Sequence, residues 1–343
     1  MIRASISVVA AVLLLGVGVA GAQTAAPANP VRVGVLTDGT SETWTAFRDA
    51  AMKEAPAAGI TLDFRVLSPA TADQQRLTAN EMLAAGAKAL AICPVDAAQQ
   101  KAFLQEIAGK TPLVLLNRDV ADSGRVCFIG MDEKETGKKM ADLVMKLVPM
   151  GMKIAAMVKT GESEGEKARM AGLKEGLAPG EFILDVTKAD KGDRNLAWAG
   201  ADELMTKRFE LSAYIAFEAY QMPGLLRAAT AHKMDGIVNL IGFVDTPDMR
   251  EAFVKGKIQG LIRPDCATQA KQTLAVLRGA ASKDPAYKLP ENGVIGIAPL
   301  IETTPNPMTV QEKKDALQIP RVLEEAPAPA PVPAAAPPRP SFE

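Results

Sequence analysis

Short apolar, β-branched runs alternate with amphipathic segments along most of this chain, and this alternation restricts its fold more than any other feature. The spacing of roughly 25 to 30 residues is typical of βαβ units and parallel sheets. The predicted strands are Val31 to Leu36, Thr61 to Leu67, Ala89 to Cys93, Leu113 to Leu116, Val126 to Ile129, Lys153 to Val158, Phe182 to Val186, Ala213 to Phe217, Ile237 to Phe243 and Ile258 to Ile262. The predicted helices include Thr43 to Ala57, Asp73 to Ala85 and Glu133 to Val148, because their apolar residues recur at helical spacing.

Ten strands are more than one domain of this kind usually holds, and the alternating pattern stops and restarts near Met131. We therefore predict an α/β protein with two doubly wound halves. Ligands of open parallel sheets bind outside the carboxyl ends of the strands. The segments that follow the predicted strands are polar, for example residues 37–41, Asn117-Arg118 and residues 159–161. We expect these strand ends to converge on one cleft.

Both ends of the chain differ from the middle. Residues 1–22 combine Arg3, an apolar stretch and a small-residue site before Gln23, which predicts a cleaved signal peptide and a protein outside the cytoplasm. The alternative is a membrane anchor, but the apolar stretch of about 15 residues is shorter than the ~20 that a span needs. Residues 311–343 are rich in Pro and Ala, which predicts a disordered tail or a tether to a partner.

Composition excludes several classes of function. A net charge of −1 with a single histidine and three cysteines gives no basic face for nucleic acid and no framework of metal ligands or disulfides. Gly109-Lys110-Thr111 lacks the upstream glycine of a phosphate loop, and no dinucleotide fingerprint or nucleophile elbow is present. We therefore predict no catalytic residue, metal or cofactor.

Trp198 lies in the middle of a predicted helix, and we interpret it as a core residue.

Six segments, in this order, match one known pattern. They are Val31 to Val35 with Ser41 to Trp44, Ala91 to Asp96, Pro112 to Arg118, Ile129 to Glu133 with Gly137, Lys167 to Leu173, and Ile241 to Asp248. Together they resemble the type I periplasmic sugar-binding proteins, the ribose-binding kind that serve ABC importers. The resemblance covers about 270 residues, and the order and spacing of the segments carry it.

The resemblance implies two lobes joined by three crossovers, closing by a hinge on a sugar. One lobe would comprise residues 31–131 with 265–297 and the other residues 132–264 with 298–310. The implied hinge residues are Met131, Asp132, Pro264 and Asp265. The implied partners are a small-molecule sugar, polyol or related solute and an ABC permease in the inner membrane, with the protein a monomer in the periplasm.

The resemblance also implies ligand-binding residues, which are Ser41, Thr43, Trp44, Asn117, Arg118, Lys167, Glu218 and Asp245. Trp44 matches an aromatic stacker, although a core position is the alternative, and Arg118 matches a ligand arginine. At four positions the chain has a different residue from the family pattern. These are Asn117 for Asp, Lys167 for Arg, Glu218 for Asn and Val244 for Asp. Because valine cannot accept a hydrogen bond through its side chain, Asp245 would supply the acceptor that is missing at Val244. Glu218 and Lys167 favour a polyol, a larger sugar or a charged small molecule over a plain pentose.

Three other functions use the same fold or could be built on it. The protein would act as a sensor if it docked a chemoreceptor or sensor-kinase instead of a permease. An enzyme is disfavoured because no nucleophile, metal or cofactor pattern is present. Cytoplasmic repressors of this fold are also disfavoured, since a signal peptide stands where their DNA-binding helices would be.

Overall fold

The computed structural model describes residues 30–207, 210–244, 246–308 and 312. The predicted signal peptide and the ligand-binding candidate Asp245 lie outside these residues, as does the predicted tail apart from Glu312. Across the part that is described, none of the helices combines the length and apolar character that a membrane span requires.

Strands and helices alternate along the chain. The strands are β1 Val31–Leu36, β2 Ile60–Arg65, β3 Leu90–Ile92, β4 Leu113–Leu116, β5 Cys127–Met131, β6 Lys153–Val158, β7 Ile183–Ala189, β8 Ala213–Ala216, β9 Asn239–Phe243, β10 Gly260–Arg263, β11 Val294–Ile297 and β12 Leu300–Thr303. The α-helices are α1 Glu42–Glu54, α2 Ala72–Ala84, α3 Lys101–Lys110, α4 Glu133–Leu147, α5 Glu164–Leu177, α6 Arg194–Lys207, α7 Met222–Ala231, α8 Pro247–Val254 and α9 Cys266–Ser282. The predicted alternation of strands and helices is confirmed.

The chain divides into two compact units. Among the described residues, the first unit comprises 30–131 and 265–297, and the second comprises 132–264 together with the residues from Ala298 onward. The chain therefore passes from one unit to the other three times, after Met131, after Pro264 and after Ile297.

A parallel sheet forms the centre of the first unit. Its strand order is β11-β5-β4-β3-β1-β2, and every neighbouring pair is parallel. Helices α1 and α9 bury apolar residues such as Phe47 and Leu274 against one face of the sheet. Helices α2 and α3 bury residues such as Met82 and Leu104 against the other face. The predicted doubly wound arrangement is confirmed here.

The second unit repeats this plan with the order β12-β10-β9-β8-β6-β7. Helices α6, α7 and α8 cover one face and α4 and α5 cover the other. Strand β12 alone runs antiparallel to its neighbour β10. Sequence analysis missed β11 and β12, which are four-residue edge strands with little burial: β11 is apolar but too short to stand out, and β12 ends in two polar residues.

Helices α4 and α5 approach each other closely at two glycines. A Cβ atom on Gly137 would lie 1.9 Å from the carbonyl oxygen of Arg169, and one on Gly172 would lie 1.9 Å from that of Lys134. Only glycine permits this approach. The contact brings the start of α4, at Glu133, beside the buried side chain of Arg169.

Candidate functional site

A cavity of about 410 Å³ opens in the first unit, where the chain leaves β1 and β4. Its walls are residues 38–41, Thr43 and Trp44 of α1, and the pair Asn117 and Arg118 that follows β4. These residues follow strands of one parallel sheet, which is where ligands of such sheets bind. Five residues predicted from the resemblance therefore line one space.

Ser41 ends the loop after β1 and starts helix α1. Its Oγ accepts a hydrogen bond from the backbone N–H of Trp44 at 3.1 Å, which satisfies one of the free donors of the first helical turn. Thr43 and Trp44 consequently lie in that first turn, beside the cavity. The backbone carbonyl of Thr43 accepts a contact from the thiol of Cys266, 3.6 Å away, which ties this turn to α9.

Trp44 belongs to both the core and the cavity wall. Only 6% of the residue is exposed, and its ring meets Phe47 edge-to-face with centroids 5.5 Å apart. The indole Nε1 donates a hydrogen bond to Oδ1 of Asp38 at 2.7 Å. The two interpretations of Trp44 are therefore compatible, because the ring is packed on one side and lines the cavity as well.

Arg118 is held by groups that follow two other strands. Its Nη1 donates to Oδ2 of Asp38 and, at 2.9 Å, to the backbone carbonyl of Pro94. The same nitrogen lies 3.9 Å from the thiol of Cys93. Burial, aided by the negative charge of Asp38, raises the pKa of Cys93, so this thiol stays protonated and serves as packing.

Asn117 has a left-handed backbone, with φ of 58°. Its Oδ1 accepts a hydrogen bond from Nε2 of Gln269 at 2.7 Å, and that same Nε2 lies 3.4 Å from the carbonyl of Ile129. An amide oxygen of Gln269 in this place would face the carbonyl oxygen of Ile129, so the nitrogen of Gln269 lies here and the oxygen of Asn117 accepts from it. The amide nitrogen of Asn117 is then the group left to face a ligand.

A buried glutamine fixes the loops behind the cavity. Nε2 of Gln75 donates to the carbonyls of Thr37, at 3.2 Å, and Cys93, at 2.8 Å. Its Oε1 accepts from Nε2 of Gln100 at 2.9 Å and from the N–H of Val95 at 3.3 Å. Four hydrogen bonds to one fully buried side chain hold the ends of β1 and β3 in register.

The second unit gathers polar groups around Arg169, which is buried. Its Nε and Nη2 both donate to Oε2 of Glu133, at 2.7 and 2.6 Å, and its Nη1 donates to the carbonyl of Phe217. The guanidinium lies between the rings of Phe217 and Phe243, at 5.6 and 5.3 Å from their centroids. A charged group fixed in this way holds its neighbours in one orientation.

Glu218 and Lys167, both predicted ligand-binding residues, lie in different surroundings. Glu218 follows β8, with Oε1 3.6 Å from Nη1 of Arg169, and burial raises the pKa of its carboxyl. Lys167 lies on the exposed side of α5, where its Nζ binds Glu164 at 3.1 Å. The structure brings Glu218 together with Arg169 rather than with Lys167. Sequence analysis missed Arg169, which lies two residues after Lys167 in the same segment of α5.

Two carboxylates complete the polar end of the second sheet. Glu166 accepts from the N–H groups of Lys159, at 2.8 Å, and Thr160, at 3.2 Å. Burial alone would raise the pKa of Glu166, but these bonds and those from the hydroxyls of Thr160 and Ser163 lower it. Asp190 is fully buried and accepts from the hydroxyl of Tyr220 at 2.5 Å.

The predicted hinge residues lie where the chain passes between the units. Met131 is the last residue before the chain first passes from the first unit to the second, and Asp132 caps α4 by accepting from the N–H of Glu135 at 2.9 Å. Pro264 precedes Asp265, whose Oδ1 accepts from the N–H of Thr268 at 3.0 Å and so caps α9. Each of these two passages thus leads directly into a capped helix.

Several further side chains complete the description. Cys93 and Cys127 are buried free thiols. Trp198 is not a core residue, since it is 38% exposed on α6 with the guanidinium of Arg227 4.9 Å above its ring. Val244 packs against the apolar core of the second unit. Within the described ranges, no group of three His, Cys, Asp or Glu side chains could hold a metal ion.

Comparison with known families is decisive for the class of protein. The profile described as periplasmic binding protein domain matches residues 33–285, about three quarters of the chain. This chain belongs to that family. Its members bind solutes and are not enzymes, which confirms the expectation of a binding protein without catalysis. Proteins of this family work in the periplasm or outside the cell.

Solved structures share the fold of this periplasmic binding protein. AraP, an arabinose binding protein from Geobacillus stearothermophilus, is 16% identical, with a TM-score of 0.70 over 80% of this chain and 97% of AraP. A sugar-binding protein of a sugar ABC transporter from Bacillus halodurans is 17% identical, with a TM-score of 0.68 over 80% and 98% of the chains. A mutant complex of XylFII with LytSN is 16% identical, with a TM-score of 0.67 over 84% and 99%. No significant match was found among curated proteins.

Proposed function

We propose that this protein captures a sugar or sugar-like polar solute outside the cytoplasm and delivers it to an ABC importer in the inner membrane. The observation that carries the proposal is the cavity of the first unit, where Trp44 and Arg118 lie beside the hydroxyl-bearing loop 40–41. A polyhydroxylated ligand needs paired hydrogen-bond partners beside an apolar group, and this wall places Asn117 and Arg118 beside Trp44, which is 6% exposed. Its solvent-facing volume suits a small solute.

The known ligands of similar structures support the same class. Two of these structures are described as an arabinose binding protein and as a sugar-binding protein of an ABC transporter. The departure at Glu218 argues that the solute of this chain differs from a plain pentose, whereas Lys167 pairs with Glu164 on the exposed side of α5 and no longer supports this argument. In this proposal the protein is exported by its signal peptide, acts as a monomer and closes about Met131, Asp132, Pro264 and Asp265.

A ligand screen by thermal shift tests this function. The purified protein would be titrated with panels of pentoses, hexoses, polyols and nucleosides, and the hits measured by calorimetry. Saturating ligand at about 100 times Kd should stabilise the folded state by about 2.7 kcal/mol. If every panel leaves the melting temperature unchanged, the sugar-binding function is wrong.

A second function is a sensor that docks a chemoreceptor or sensor-kinase. The complex of XylFII with LytSN favours it, since a protein of this fold assembles there with a second protein. Deletion of the gene distinguishes the import function from the sensor function, because each predicts the loss of a different response. Loss of solute uptake with normal signalling supports import, whereas intact uptake with loss of the transcriptional or chemotactic response supports the sensor.

A further inference from the structure

The carboxylate of Asp38 lies in the cavity wall between two predicted ligand-binding side chains. One oxygen accepts from the indole of Trp44 at 2.7 Å, and the other accepts from the guanidinium of Arg118. The side chain is 19% exposed. A carboxylate oxygen has two lone pairs, so each oxygen can accept a further hydrogen bond from a ligand hydroxyl.

Asp38 also cancels the charge of this wall. Among the described residues that line the cavity, Asp38 and Arg118 are the charged ones, and they carry opposite signs. Nε and Nη2 of Arg118 contact no acceptor within the described part of the chain, so they remain donors for a ligand. The wall therefore presents donors and an acceptor without net charge.

The negative charge that meets Arg118 comes from the end of another strand of the sheet. The family pattern has an aspartate directly before the ligand arginine, and here Asn117 stands in that place. The amide oxygen of Asn117 is engaged by Gln269 at 2.7 Å, which leaves its nitrogen as an uncharged donor. The carboxylate that meets Arg118 comes instead from Asp38, at the end of a different strand.

We propose that Asp38 is a specificity-determining residue, which makes this site select neutral polyhydroxylated solutes and reject their carboxylate analogues. The inference rests on the proposed function, because it concerns the same cavity. A hydroxyl can donate to Asp38 while it accepts from Arg118 or Asn117, so a neutral sugar uses both kinds of partner. A ligand carboxylate would find the charge of Arg118 already neutralised and would lie beside a second carboxylate, where like charges repel.

Matched pairs of neutral and acidic sugars test the selection. Glucose with glucuronate and galactose with galacturonate, together with arabinose, would be titrated by calorimetry into the wild-type protein and into Asp38→Asn. The substitution keeps an oxygen for the indole of Trp44 but leaves the charge of Arg118 uncompensated. We expect the wild type to bind the neutral member about tenfold more tightly or better, and the variant to lose about tenfold of that preference or to reverse it.

Asp122→Asn is the control, because Asp122 pairs with Lys101 on the surface and asparagine tolerates its left-handed backbone. It should leave the preference unchanged. If Asp38→Asn is too unstable for the titration, Asp38→Ser removes the same charge. The ratio of the wild-type affinities for the neutral and the acidic sugar is measured without any variant. Equal or tighter binding of the acids by the wild type, or an unchanged preference in both Asp38 variants, overturns the inference while sugar binding stands. No binding of any neutral solute, either here or in the thermal-shift panels, overturns the proposed function and the inference together.

Discussion

The amide of Gln269 donates a hydrogen bond to Oδ1 of Asn117 across 2.7 Å, joining residues 152 positions apart in the chain. Gln269 lies on α9, which begins directly after the chain has returned from the second unit. Asn117 in turn holds the start of the segment that carries Arg118. The cavity wall of the first unit therefore depends on a helix that the chain supplies only after building most of the second unit.

Replacing this buried amide should weaken both stability and binding. Gln269→Ala leaves Oδ1 of Asn117 without its donor, whereas the carbonyl of Ile129 keeps the backbone N–H of Asn117 at 3.1 Å, so the substitution should cost about 1 kcal/mol of unfolding free energy. Gln105→Ala is the matched control, because Gln105 donates to a single exposed carbonyl, that of Asp122. It should cost less than about 0.5 kcal/mol. Urea unfolding of both variants measures this, and equal losses would contradict it.

Arg118 is expected to serve binding more than folding. Arg118→Ala removes the donors that face the cavity, so affinity for any solute found in the screen should fall about 100-fold. The unliganded unfolding free energy should change by less than about 1 kcal/mol, because the side chain is half exposed. Arg48→Ala is a close control, since Arg48 is 47% exposed and pairs with Asp49 on helix α1. It should leave affinity unchanged, and a large loss of stability in Arg118→Ala would make this arginine structural.

The contact between α4 and α5 predicts an unusual sign for a glycine substitution. Alanine normally stabilises a helix interior by up to about 1 kcal/mol over glycine. At Gly172, however, the new methyl group would lie 1.9 Å from the backbone oxygen of Lys134, so Gly172→Ala should destabilise the second unit by about 3 kcal/mol. Gly165→Ala, in the same helix, has 3.5 Å to its nearest neighbour and should be neutral or stabilising. Thermal unfolding compares the two, and similar melting temperatures would refute the packing argument.

Much of this fold is predictable from local pattern. Most strands from β1 to β10 are apolar runs bounded by turn residues, and the segments that follow β1 and β4 contain residues of the observed cavity wall. The edge strands β11 and β12 were missed because each is four residues long and is recognised as a strand only by its pairing with β5 or β10.

The residues that sequence analysis missed or misplaced have surroundings set by contacts between distant parts of the chain. Asp38 belongs to a segment recognised as polar, but its role depends on a guanidinium 80 residues away. Arg169 reads as part of a charged helix start, and only the close approach of α4 buries it against Glu133. Trp198 has the spacing of a core residue, yet it stays 38% exposed with Arg227 of helix α7 over its ring. Sequence patterns predict which elements form, whereas these roles require knowing which elements meet.

Glu218 predicts one direction of pH dependence. Burial raises its pKa above the ordinary 4.5, with Arg169 and Lys159 acting against this and with Glu166 and Glu133 adding to it. A carboxyl with a raised folded-state pKa contributes stability that is complete below 4.5 and is lost as the pH rises through the folded value. The unfolding free energy of the wild type should therefore fall relative to Glu218→Gln as the pH rises from 4.5.

Glu175 predicts the opposite direction within the same unit. Hydrogen bonds from Lys134 and Lys138 lower the pKa of Glu175 to about 2, from an ordinary value of 4.5. Its contribution to stability is present above 4.5 and disappears as the pH falls toward 2. Relative to Glu175→Gln, the wild type should therefore gain stability as the pH rises between these values. One series of urea unfolding curves on the wild type and both variants measures the two slopes, and slopes of the same sign would show that one carboxyl is assigned the wrong surroundings.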